Sequence, residues 1–67
     1  QVMNVARKSL VAARNLKAGA IVQDSDVAIK RPGNGIKPEF LSIIIGKKLL
    51  RDVGEDELFS WECFLQQ

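Results

Sequence analysis

Lys30-Arg31-Pro32-Gly33-Asn34-Gly35 is half proline and glycine, so the backbone here is held in turns. Proline fixes φ at position 32 and pushes Arg31 toward an extended conformation. The two glycines permit positive φ, and Asn34 tolerates it better than most residues. The result is a loop of specified shape with a guanidinium at one end. Before it, Val27-Ala28-Ile29-Lys30 alternates with period two and reads as a strand running into this tip. After it, Lys37 to Gly46 carries the marks of a short helix. Pro38 suits the first helical position, Glu39 the positive end of the dipole, and Gly46 the stop. Phe40 pairs with Ile44 and Leu41 with Ile45 at i,i+4 spacing. Its isoleucines are weak helix formers, so packing must hold the helix.

Working outward, Gln1 to Lys8 is a polar, basic lead-in expected to be a linker or tail, with the domain proper over 9–67. Ser9-Leu10-Val11-Ala12-Ala13 reads as a first strand and Lys17-Ala18-Gly19 as a turn. Ala20-Ile21-Val22 is a second short apolar element. Gln23-Asp24-Ser25-Asp26 supplies capping residues for one helical turn. Lys48 to Val53 reads as another strand, with Lys47, Lys48 and Arg51 on a solvated face, and Gly54-Glu55-Asp56-Glu57 as a polar turn. A last turn, Ser60 to Phe64, has Ser60 as its natural N-cap. Phe59 and Trp61 are expected in the core or facing a partner, and Cys63 as a small packing residue. A weak repeat relates Arg14–Val22 to Arg51–Phe59 at an offset of 37. Two such halves, each too small for its own core, would interlock about a pseudo-twofold axis. The expected fold is mainly β, with short helical or 3₁₀ turns.

A chain of 67 residues with 46% hydrophobic and 27% charged residues is one small globular domain. It buries only about 60% of the surface its unfolded chain exposes. Its core contributes on the order of 3–5 kcal/mol net. Cys63 is the single cysteine, so no intrachain disulfide staples that core, and there is no histidine. Zinc coordination by a Cys/His set and a histidine relay are therefore excluded within this chain. The longest apolar run, Phe40 to Ile45, is broken by Ser42 and far too short to span a bilayer. A net charge of +2 and one tryptophan without interleaved cations do not point to nucleic acid. No secretion signal is visible, and a start at Gln1 suggests a piece of a longer protein.

Arg7-Lys8-Ser9-Leu10-Val11-Ala12, then Lys17-Ala18-Gly19, then Lys30-Arg31-Pro32-Gly33-Asn34-Gly35-Ile36, then Ile45-Gly46-Lys47-Lys48 resembles the C-terminal antifreeze-like (SAF) domain of bacterial sialic acid synthases. The resemblance runs from about Arg7 to Phe64, and the Arg-Pro-Gly-x-Gly loop is its specific part. It implies a β-clip fold and a cytoplasmic parent. That parent would condense phosphoenolpyruvate with N-acetylmannosamine or a related N-acetylated sugar in an N-terminal (β/α)₈ barrel, usually with Mn²⁺ or Mg²⁺ in the barrel. It also implies a domain-exchanged homodimer, with each antifreeze-like domain covering its partner's barrel mouth and Arg31 reaching the N-acetyl end of the sugar. Pro32, Gly33, Asn34 and Gly35 would shape that site. No catalytic residue, metal ligand, nucleic-acid contact or membrane contact is expected in the domain itself.

Two alternatives stand beside this reading. Free-standing type III antifreeze proteins look similar over the same span. The matching surface here runs through Gly19, Ala20, Gln23, Asp24, Ser25 and Asp26, where two carboxylates would hold hydration water and spoil an ice-binding plane. Other SAF-bearing parents are pilus or flagellar-ring assembly chaperones and sugar-acid dehydratases. The Arg-Pro-Gly-x-Gly loop argues against them.

Overall fold

The computed structural model describes residues 7–31 and 33–65. Strands β1 (Ser9–Ala12) and β2 (Val27–Lys30) form an antiparallel pair with Ser9 opposite Lys30 and Ala12 opposite Val27. Strand β1 stops one residue short of the sequence expectation, because the Ala13 N–H turns to the Asp26 carbonyl. All four β1 residues are buried. Strand β2 does not show the expected alternation: Val27 and Ala28 are half-buried, while Ile29 is 47% exposed. A two-stranded ribbon lets its far end leave the core, so the period-two pattern has no second face to obey.

Lys48 to Val53 is not a strand. Only isolated bridge pairs occur there, Ile21 with Lys48 and Leu16 with Val53. Successive donors go to different segments: Leu49 N–H to Ala20 and Leu50 N–H to Cys63. No continuous ladder can form from partners so scattered. The helix after the loop is a 3₁₀ turn, Pro38–Phe40, running into α1 (Leu41–Ile44). It ends before Gly46, whose φ of 91° is the left-handed stop that glycine tolerates. Further 3₁₀ turns cover Asp24–Asp26 and Trp61–Cys63.

The bonds that tie the body together recur at a shift of 37 positions. Leu16 and Val53 exchange both backbone hydrogen bonds, at 2.7 and 2.9 Å. Ala12 N–H donates to the Glu57 carbonyl as Leu49 N–H donates to that of Ala20, at 3.0 and 2.9 Å. Phe59 N–H donates to Leu10 as Val22 N–H donates to Lys47. Side chains follow the same rule. Asn15 Oδ1 accepts from Glu55 N–H and Asp52 Oδ1 from Ala18 N–H, both at 2.8 Å. Positive φ recurs at Gly19 (92°) and Asp56 (68°).

The core gathers Leu10, Val22, Ile44, Leu49, Val53, Phe59 and Cys63, all essentially free of solvent. Phe59 and Cys63 thus sit where the sequence put them. Trp61 is not in the core, the first of its two expected places: it is 38% exposed, edge-on to Phe40 at 5.9 Å between ring centroids. The Ser60 side chain does not cap the last turn either; its hydroxyl lies 3.6 Å from Cys63 Sγ. Lys47, Lys48 and Arg51 are exposed as expected, with Arg51 Nη2 3.7 Å from Glu57 Oε2.

Candidate functional site

Strand β2 delivers the chain to the loop, and the loop returns along β1. Ile36, buried beneath the tip, accepts the Leu10 N–H through its carbonyl at 2.9 Å. One residue earlier, Gly35 N–H donates to Ser9 Oγ at 2.9 Å. A Cβ on Gly35 would lie 3.2 Å from Leu58 Cδ2 and 3.3 Å from both the Phe59 carbonyl oxygen and Ser9 Cβ. Glycine is needed there for close approach rather than for a left-handed φ. Gly33 is covered by the stem of Arg7, whose Cβ, Cγ and Cδ occupy the space a side chain would take. Arg31 stands exposed at the bend after β2, and Asn34 is exposed beyond it. Pro32 lies outside the described residues.

Electrostatics separates the two cations at the end of β2. Lys30 Nζ meets Asp56 Oδ1 at 2.5 Å. That hydrogen bond, with the carboxylate's charge behind it, holds the ammonium above its ordinary pKa. Arg14 grips the buried carboxylate of Asp26 through Nε at 2.8 Å and Nη2 at 2.5 Å. Arg31 is different: among the described residues, no ion pair or hydrogen bond involves it. Its five fixed donors are therefore available to a planar acceptor outside the chain. Among the described residues, no group of three or more His, Cys, Asp or Glu is placed to hold a metal ion. Cys63 is buried in the core with the Ser60 hydroxyl as its neighbour, an arrangement with no general base.

The sequence named Arg31 and the glycines but overlooked the groups that hold them. Arg7 and Ser9 carry no sequence signal for a role in the loop, because their contacts cross about 26 positions of chain. The pairing of Lys30 with Asp56 is equally long-range. Asp26 was read as a cap, and Oδ2 does accept the Gln23 N–H at 2.9 Å. It is also only 3% exposed, so it is not one of two surface carboxylates on the Gly19–Asp26 face. Of that pair only Asp24 is exposed there.

Residues 7–65 match the model of the SAF domain. The chain belongs to the SAF domain family. The SAF domain here is 39% identical over 56 residues to an N,N'-diacetyllegionaminic acid synthase of Campylobacter jejuni, covering 84% of the chain and 17% of the relative. It is 45% identical over 51 residues to an N-acetylneuraminate-9-phosphate synthase of Drosophila melanogaster, covering 75% of the chain and 14% of the relative. An uncharacterized protein of Methanocaldococcus jannaschii is 42% identical over 60 residues, 90% of the chain and 18% of the relative. The chain thus spans less than a fifth of the length of these relatives. The fold matches part of the crystal structure of the spore coat polysaccharide biosynthesis protein spsE from Bacillus subtilis, with a TM-score of 0.78 at 22% identity. That match covers 90% of the chain and 18% of spsE.

Proposed function

We propose that this SAF domain is the C-terminal, substrate-covering domain of a sialic acid synthase. The parent condenses phosphoenolpyruvate with N-acetylmannosamine or a related N-acetylated sugar in a (β/α)₈ barrel. The domain sits over the barrel of the partner subunit in an exchanged homodimer, and Arg31 donates to the sugar at its N-acetyl end. The observation that carries this reading is the isolation of Arg31: exposed and unpaired among the described residues, beside a lysine already engaged by Asp56. A cover over a barrel's open face needs a permanent donor on a fixed loop, and excluding water strengthens that donor. The names of two relatives, synthases of legionaminic acid and of N-acetylneuraminate-9-phosphate, support the substrate class.

Chemistry in this scheme belongs to the barrel. In this reading Mn²⁺ or Mg²⁺ would sit in the barrel, as the resemblance implies, and no step is routed through this domain. The cytoplasmic location of the parent is part of this proposal and comes from the resemblance to the synthases. Among the described residues, no helix is long and apolar enough to cross a membrane. The pseudo-twofold arrangement of two interlocked halves is supported by the bonds that repeat at a shift of 37.

Ice binding is the weaker reading. The face through Gly19 and Ala20 carries exposed Asp24, and Arg14 reaches Asp26 beside it with 61% of its side chain exposed. Charges of both signs bind water too tightly for a flat apolar plane.

The test is turnover of the full-length parent with Arg31→Ala. Losing a charge-assisted hydrogen bond of about 1.5–3 kcal/mol lowers kcat/KM for the sugar roughly 10- to 100-fold. The melting temperature of the domain should hold, because an exposed, unpaired side chain contributes within about 0.5 kcal/mol. An unchanged rate removes the role given to Arg31.

A further inference from the structure

We infer that Ser9, with Arg7 beside it, is a positioning residue that fixes the loop carrying Arg31 before any ligand arrives. A segment with glycines at 33 and 35 samples many conformations unless something restrains it. Ser9 restrains both of its ends. Through its backbone it pairs with Lys30, the last residue of β2. Through its hydroxyl it accepts the Gly35 N–H at 2.9 Å. Ser9 is itself fully buried, so this hydroxyl is held by the core rather than by solvent. Leu10, the next residue, bonds the Ile36 carbonyl and continues the same seam.

Arg7 closes the middle of the span. Its aliphatic stem lies across Gly33, while the residue as a whole stays exposed. A long cationic side chain can cover backbone in this way and leave its head in water. The loop is thus pinned at Lys30, Gly33 and Gly35, and Arg31 lies between the first two pins. The described backbone on either side of Arg31 is therefore held by β1 and Arg7 in the free chain. Preorganisation of this kind removes the ordering cost from the binding step.

The structural part of this inference stands on the chain alone; its consequence for turnover rests on the sugar-site reading of Arg31. The experiment therefore has two arms. In the first, amide hydrogen exchange and ¹⁵N relaxation are measured on the 67-residue chain. Ser9→Ala should speed exchange at Gly35 by about tenfold or more, and lower the order parameters of Gly33–Gly35, while Leu49 and Phe59 keep their protection. Arg7→Ala should loosen Gly33, whereas Arg7→Met, which keeps the stem, should not. Unchanged exchange at Gly35, or acceleration of every amide by one common factor, overturns the inference. If Ser9→Ala does not fold, the Arg7 pair decides: equal order parameters in Arg7→Ala and Arg7→Met overturn it.

In the second arm, Ser9→Ala is placed in the full-length parent. Reducing the competent fraction of the loop to about a tenth raises KM for the N-acetylated sugar about tenfold and leaves kcat at saturation nearly unchanged. A loosened loop with unaltered sugar KM overturns the sugar-site reading of Arg31 and leaves the pinning intact.

Discussion

Replacing Gly35 by alanine adds one methyl group to the tightest spot in the loop. The new Cβ meets Leu58 Cδ2 at 3.2 Å, the Phe59 carbonyl oxygen at 3.3 Å and Ser9 Cβ at 3.3 Å. Only the leucine end can swing aside; Phe59 is buried core and Ser9 belongs to the fully buried strand β1. Gly35 is not at positive φ, so the cost is overpacking rather than backbone strain. Inserting a methyl into a well-packed site costs about 1–3 kcal/mol. A 67-residue domain has a total stability of roughly 3–10 kcal/mol, so the loss is a large share of it. About 2 kcal/mol lowers the melting temperature of so small a domain by roughly 8–16 °C. Thermal melts followed by circular dichroism read this directly. Gly46→Ala is the control. Its Cβ meets open space, so only the strain of φ 91° is felt, about 1–2 kcal/mol. The two effects have different cures. Ser9→Gly, which removes one of the three crowding atoms, should cost less in the Gly35→Ala background than alone, and should combine additively with Gly46→Ala. Gly35→Ala melting within about 2 °C of the parent, or strict additivity with Ser9→Gly, would refute the packing argument.

Other consequences are as direct. Asp26→Ala removes a buried carboxylate bonded to Arg14 and to the Gln23 N–H, and should lower stability by about 2 kcal/mol, seen as a lower urea midpoint at unchanged slope. Asn15→Ala and Asp52→Ala delete turn bonds that correspond at the shift of 37; each should cost about 1 kcal/mol, and a double-mutant cycle in which one of them costs nothing would break the equivalence of the halves. Lys30 has its pKa raised by Asp56 above 10.5, so its contribution is complete below that pH and is lost as pH rises through the folded-state value. As pH rises past 10.5 the Lys30→Gln variant should therefore lose less stability than the parent chain; an identical loss would mean the pair carries no proton linkage.

Local signals in the chain served where the physics is local. The patterns in Val27–Lys30 and Ser9–Ala13 placed both strands to within a residue, though burial along Val27–Lys30 does not alternate. Pro38 and Gly46 bracketed the helical segment, since both act through their own backbone angles. The repeat between Arg14–Val22 and Arg51–Phe59 was visible, though not the side-chain exchange of Asn15 and Asp52 that accompanies it. Lys48–Val53 misled because its apolar residues serve bridges to several segments rather than one sheet face. Trp61 did not take the core place, because a large ring can rest its edge on Phe40 at the surface of a core this small. At the site, Arg31 and the glycines could be read from type and order. Ser9, Arg7 and Asp56 could not, because each acts on residues brought near only by the completed fold.

The most direct measurement is a crystal structure of the full-length parent with its N-acetylated sugar bound. The account predicts the Arg31 guanidinium within hydrogen-bond reach of the N-acetyl group, about 2.7–3.2 Å, across a subunit boundary. A bound sugar with that guanidinium pointing into bulk solvent would contradict it.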